Sequence, residues 1–246
     1  MTESRFAGQI DEYRRDGVVR VRRLFDEDQV SELRKNIERY QSELVPGLPA
    51  GDYTLEPDRR SIRNLWRMQE HDPYFASLAE RSTLRDLVRP LVNGEPVLMG
   101  VETFNKPALV GSAVPPHQDN AYFCQSPPDV LTVWVAVDPA TIENGAVEYS
   151  LGSHRELLPH VASGVKGNSF GLAELPPADR FKRFHGTVDP GDALVHHSQT
   201  IHQSEPNRTA HSRLSLIFVY RGEQTRTDER LQEEYRRAQT AAAQNA

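Results

Sequence analysis

Cysteine is almost absent from this 246-residue chain: Cys124 stands alone, so no internal disulfide can form. Long apolar runs are missing too. No window approaches the roughly 18 continuous apolar residues of a membrane span, and the opening stretch MTESRFAGQIDEYRRDG lacks the apolar core of a signal peptide. Nor is there a basic block. The 29 Lys and Arg against 35 Asp and Glu leave a net charge of −6 spread along the chain, which argues against nucleic acid or an anionic membrane as partner. These absences lead us to expect a soluble cytoplasmic protein, monomer or homodimer, whose partner is a small molecule.

What is present falls into two patterns. After the apolar run Val18-Val19-Arg20-Val21, Asp26 stands as an N-cap with Gln29 at the capping-box position, and Val30, Leu33, Ile37, Tyr40 and Leu44 follow at helical spacing. That spacing predicts one buried stripe on an amphipathic helix. Residues 51–63 (GDYTLEPDRRSIR) are polar and without period, and read as a loop able to reach over a pocket. Leu84, Leu87, Val88 and Leu91 predict a second helix, ended by Asn93-Gly94. From Glu95 the period changes to two. PVLMGVETF, VLTVWVAV, AVEYSL, DALVHHS and LSLIFVY, separated by turns such as Asn144-Gly145 and Pro190-Gly191, predict an antiparallel sandwich or barrel. Residues 163–183, rich in Gly, Pro and charge, read as a long loop at the barrel mouth, and 225–246 as a charged helix. With no repeat or break in composition, 1–246 is expected to be one domain: helical support and lid loop over 1–94, β core over 95–222, charged tail over 223–246.

The chemistry gathers around PPHQDNAYF. On a strand, His117 and Asp119 share a face while Gln118 points elsewhere, so the two can converge on one ion or form an ordinary polar strand end. VHHSQTIHQSEPN supplies the candidates for a third ligand, His196, His197 and His202. Two histidines and a carboxylate on one side of an ion form the facial triad of non-haem Fe(II) oxygenases, though zinc hydrolases use similar sets. Arg213, at the start of the strand after His202, with the Ser204 hydroxyl nearby, separates the two. A dicarboxylate co-substrate such as 2-oxoglutarate needs a guanidinium for its buried distal carboxylate.

Taken together, FNKPALVGSAVPPHQDNAYF, DVLTVWVAVDPATIENGAVEYSLGSHR and GDALVHHSQTIHQSEPNRTAHSRLSLIFVYR resemble the phytanoyl-CoA dioxygenase family of Fe(II)/2-oxoglutarate oxygenases. The resemblance implies a mainly β fold with N-terminal helices and a double-stranded β-helix (jelly roll, cupin-like) core. It also implies Fe(II), 2-oxoglutarate and O2 as cofactor and co-substrates. His117, Asp119 and His202 would be the iron ligands and catalytic centre, and Arg213 and Ser204 would hold the distal carboxylate. Trp134 and Arg67 would border the co-substrate, with Glu102, Gln118, Tyr122 and Phe123 toward the substrate; His197 would be structural. Related halogenases replace the carboxylate with a small residue, so Asp119 favours hydroxylation. Arg59, Arg60, Arg63, Lys166, Arg180, Lys182 and Arg183 suggest a cationic rim for an anionic or carrier-tethered substrate, or simply solvated loops. Two competing functions remain: a catalytically inactive jelly-roll binding or regulatory module, and a zinc-dependent hydrolase.

Overall fold

The computed structural model describes residues 6–165 and 168–244. The predicted capping box is present: Asp26 accepts from the Gln29 amide, Gln29 answers on the Asp26 amide, and the helix runs from Glu27. The helices are α1 (Ala7–Asp16), α2 (Glu27–Arg39), α3 (Met68–His71), α4 (Pro73–Ala79), α5 (Ser82–Val88), α6 (Asn120–Phe123) and α7 (Glu229–Gln244). The strands through the first half of the core are β1 (Val18–Val21), β2 (Tyr53–Leu55), β3 (Ile62–Leu65), β4 (Pro96–Lys106), β5 (Val114–His117), β6 (Gln125–Ser126), β7 (Val130–Ala136) and β8 (Val147–Ser150). There follow β9 (His160–Val165), β10 (Asn168–Leu172), β11 (Arg183–Gly186), β12 (Ala193–His197), β13 (His202–Ser204), β14 (Arg213–Gly222) and β15 (Arg226–Thr227). The result is mainly β with flanking helices.

A seven-stranded antiparallel sheet in the order β1-β12-β7-β14-β4-β3-β2 packs over a four-stranded one, β11-β8-β13-β5. The period of two decides what each face does. On β14, Leu214, Leu216, Phe218 and Tyr220 join Leu33, Ile37, Phe75 and Leu87 of the helices in one core. The alternate residues Ile217 and Val219 turn the other way and pack with Trp134, Val147 and Tyr149 between the sheets. Ile37 is fully buried in the helix-side core. Ile37→Ala is therefore expected to cost about 2–5 kcal/mol, read as a lower urea midpoint with an unchanged slope.

Two segments expected as loops contain hairpins instead. Residues 53–65 pair as β2 and β3 and extend the edge of the large sheet. β9 and β10 form the other, with Phe170 buried edge-on against Tyr235 of α7. In β2 and β3 the polar residues Thr54, Arg63 and Asn64 are buried, and in β9 Val161 is exposed, so neither ribbon shows the apolar-in, polar-out alternation that marks a half-buried strand. Among the described residues no helix is long and apolar enough to cross a membrane.

Candidate metal centre

Two imidazoles stand side by side on the small sheet. His117 ends β5 and is the cross-strand partner of His202 at the start of β13, with ring centroids 4.1 Å apart. A backbone carbonyl fixes each ring: Pro115 O lies 2.9 Å from His117 Nδ1, and Thr200 O lies 2.9 Å from His202 Nδ1. Carbonyls only accept, so both Nδ1 atoms carry the proton and both Nε2 atoms present a lone pair to the space between. Asp119 arrives differently from the predicted strand geometry. β5 stops at His117, and Asp119 has helical dihedrals (φ −58°, ψ −34°) as the cap of α6. The turn, rather than the pleat, carries its Oδ1 to 3.4 Å from both Nε2 atoms.

One donor atom from each of the three residues lies within 4.8 Å of the others, and no further metal-capable group of this kind occurs among the described residues. An ion about 2.1 Å from each donor with near-right angles needs donors roughly 3 Å apart, so the set fits a facially bound metal. Asp119 is buried, and hydrogen bonds from Tyr122, His196 and Thr132 stabilise its carboxylate. Burial and then His117 push His202 down to about 3, leaving the neutral imidazole that a metal requires.

The triad opens into a cavity of about 630 Å³ between the sheets, which Arg213, Ser204, Trp134, Glu102, Arg67, Tyr122 and Phe123 also line. Arg213 is 1% exposed. Its Nη1 donates to the Gly145 carbonyl, its Nε has no partner, and its Cζ lies 5.2 Å from the Trp134 ring and 5.7 Å from that of Phe104. No carboxylate pairs with it among the described residues. Gly145, in the predicted Asn-Gly turn, has φ +83°, and a Cβ there would sit 2.3 Å from Glu205 O, so glycine alone lets that carbonyl reach the guanidinium. Burial pulls Arg213 down to about 9, still a cation at neutral pH. Lys106, its cross-strand partner, is pushed down to about 6 by burial and by Arg213, so Arg213 keeps the charge.

Several expectations need correction. Gln118 does not face the cavity: fully buried, it donates to Glu156 O at 2.8 Å and Gln199 O at 2.6 Å and accepts from the Leu158 amide at 2.8 Å. It lies between two inward residues and therefore points outward, where it staples three segments. Arg63 is no rim residue; it is buried against Glu56 at 3.3 Å. Arg180 and Arg183 are paired with Glu156 and Glu148, and Lys166 lies outside the described residues. Arg67 does line the cavity, but Asp52 holds its guanidinium and its charge falls on Glu102. Tyr122 folds back one helical turn and donates its hydroxyl to Asp119 Oδ1. His197 packs on Tyr13 and His154, away from the triad. Thr132 and Tyr149, which surround Asp119 and the histidines, were not singled out as site residues, and His196, a candidate third ligand on sequence, lies instead against Asp119 Oδ2 at 3.2 Å. Strand parity is the signal that finds His196, since it shares a face with Leu194 opposite Thr132 and Trp134.

With this geometry in hand, comparison decides the family. The phytanoyl-CoA dioxygenase (PhyH) model matches residues 13–215. The chain belongs to the phytanoyl-CoA dioxygenase family. Phytanoyl-CoA dioxygenase domain-containing protein 1 of Rattus norvegicus is 30% identical over 171 residues, covering 67% of this chain and 58% of that protein. The chain thus spans under two thirds of that relative's length. Among solved structures, EctD from S. alaskensis with 2-oxoglutarate and 5-hydroxyectoine shares the fold at TM-score 0.74 and 22% identity, covering 88% of this chain and 76% of that one. The epimerase SnoN from nogalamycin biosynthesis does so at TM-score 0.72 and 24% identity, covering 88% and 82%. The family's cofactor set is Fe(II), 2-oxoglutarate and O2, and the donors described above fit it: a facial triad for the metal and an unpartnered buried guanidinium for a carboxylate.

Proposed function

We propose that the chain is an Fe(II)/2-oxoglutarate-dependent dioxygenase that hydroxylates, or otherwise oxidises, an unactivated C–H bond of a small organic molecule. The reading takes the two packed sheets as a double-stranded β-helix core. Arg213 carries it: a buried cation with no carboxylate partner, in the same cavity as His117, Asp119 and His202. A zinc hydrolase has no task for such a group, and a binding module has none for an intact triad.

When bound, Fe(II) activates O2 so that 2-oxoglutarate, O2 and R–H become succinate, CO2 and R–OH. The chain's own residues hold and orient. His117, Asp119 and His202 hold the metal; Arg213 and Ser204 take the distal carboxylate, with Trp134 and Phe104 flanking the guanidinium and excluding water. The substrate half lies toward Tyr122, Phe123, Trp66 and Glu102. EctD was solved with 5-hydroxyectoine and SnoN serves nogalamycin biosynthesis, so a small metabolite or natural-product intermediate suits the cavity. Anaerobically purified protein given Fe(II), 2-oxoglutarate and O2 is expected to release succinate, faster when a substrate from a broad panel is present. Release that needs neither Fe(II) nor O2, or none with any panel member, refutes the proposal.

Glu102 shapes what binds. Burial, with the Asp119 charge, pushes its carboxyl up to about 8. At neutral pH it is a neutral acid, able to donate and accept a hydrogen bond with a polar group of the substrate. The protonated form is the competent one, so substrate KM is expected to rise as pH climbs through about 8 and to stay flat in Glu102→Gln. Glu102→Ala loses about 1–2 kcal/mol, a ~5- to 30-fold higher KM. A pH-independent KM in the wild type rules this role out.

A further inference from the structure

The two oxygens of Asp119 are used differently. Oδ1 faces the Nε2 atoms of His117 and His202 and accepts from the Tyr122 hydroxyl, whereas Oδ2 meets Thr132 Oγ1 at 3.3 Å and His196 Nε2 at 3.2 Å. His196 is a spare imidazole in the cavity wall, 3% exposed, with its ring centroid 4.6 Å from that of His202. Its placement is a matter of register. His196 on β12 is the cross-strand partner of Thr132 on β7, so both reach Oδ2 from the large sheet, while His117 and His202 face Oδ1 from the small one.

The tautomer follows from the partners. A carboxylate only accepts, so Nε2 of His196 carries a proton toward Oδ2. Nδ1 of the neutral ring is then bare, and the buried Tyr149 hydroxyl 3.2 Å away donates to it. Tyr149 is itself the cross-strand partner of His202, so the chain of hydrogen bonds closes back on the strand that supplies a ligand.

We infer that His196 is a positioning residue rather than a fourth ligand: Tyr149 O–H donates to His196 Nδ1, and His196 Nε2–H holds Asp119 Oδ2, so that Oδ1 alone faces the metal. The same hydrogen bonds occupy the nitrogen that would otherwise compete for the ion. Thr132 assists from beside it, which leaves Oδ1 as the oxygen that would meet a metal held by His117 and His202.

The inference rests on the metal-centre reading, and cobalt titration separates the two. Co(II) binding to the wild type, His196→Phe, His196→Gln and Tyr149→Phe is followed by visible absorption without 2-oxoglutarate, with thermal melts of the metal-free proteins as the folding control. Loss of an outer hydrogen bond to a ligand is expected to weaken Co(II) about 10- to 100-fold in His196→Phe. His196→Gln, whose amide N–H can still donate, recovers most of this, and Tyr149→Phe, which removes one oxygen, loses severalfold. The spectrum keeps its shape throughout, and X-ray absorption counts two imidazoles in wild type and variant alike. Three imidazoles in the wild type overturn the inference, as does wild-type affinity in both His196→Phe and Tyr149→Phe. If the wild type binds no Co(II), the metal-centre reading falls and takes the inference with it.

Discussion

Arg213→Ala raises the 2-oxoglutarate concentration needed for half-maximal succinate formation by ~30-fold to several thousand-fold. The magnitude follows from removing one partner of a buried, hydrogen-bonded charge pair, about 2–5 kcal/mol, with each 1.4 kcal/mol worth tenfold. Arg213→Lys recovers only part, because an ammonium lacks the planar fork that meets a carboxylate through two bonds. Stability moves the opposite way. Without co-substrate the guanidinium is buried with an unpartnered Nε and one carbonyl acceptor, so its charge is uncompensated. Arg213→Met is therefore expected to melt at the wild-type temperature or above it when 2-oxoglutarate is absent. It also loses the stabilisation that 2-oxoglutarate confers on the metal-loaded wild type. Retained 2-oxoglutarate affinity in Arg213→Met removes Arg213 from the co-substrate site.

His202→Ala abolishes metal binding at micromolar concentrations, and succinate formation falls to background. Structural zinc binding of roughly 10–16 kcal/mol over four ligands gives about 3 kcal/mol per ligand, so losing one of three costs ~10²-fold or more. The fold is expected to survive. His202 lies at a strand start, its Nδ1 bonded to the Thr200 carbonyl and its ring facing the cavity. Asp119→Asn separates charge from shape: it keeps the size and loses the anion that the imidazoles surround. Metal affinity falls as in His202→Ala, measured by equilibrium dialysis against Fe(II) under anaerobic conditions. A variant lacking His202 that still binds Fe(II) tightly points to a different ligand set.

The chemistry of the site was more legible than its surroundings. His117, Asp119, His202 and Arg213 could be found because each sits at a strand end or turn with a recognisable spacing. Their grouping in one cavity follows from β5, β13 and β14 being neighbours across the two sheets. His196, Thr132 and Tyr149 were not legible as a set, since they meet only through the registers of β12 with β7 and of β13 with β8. Charge misled in one direction. Arg63 reads as a rim residue, yet it is buried, where Glu56 receives it. Parity was right for Gln118 in pointing it away from the metal, and the resemblance that placed it at the substrate conflicted with that simpler rule. The helices followed their patterns where a cap and a stripe coincided, as at Asp26 with Leu33 and Ile37. α6 escaped notice because it is a single turn following the strand that ends at His117.

Everything proposed for the triad and Arg213 meets in one experiment: anaerobic protein loaded with Fe(II) and 2-oxoglutarate is exposed to oxygen-18 gas, and the succinate is weighed by mass spectrometry. The account predicts succinate carrying one oxygen-18 atom, formed by the wild type and reduced to background in His202→Ala. Unlabelled succinate, or equal amounts from both proteins, contradicts it.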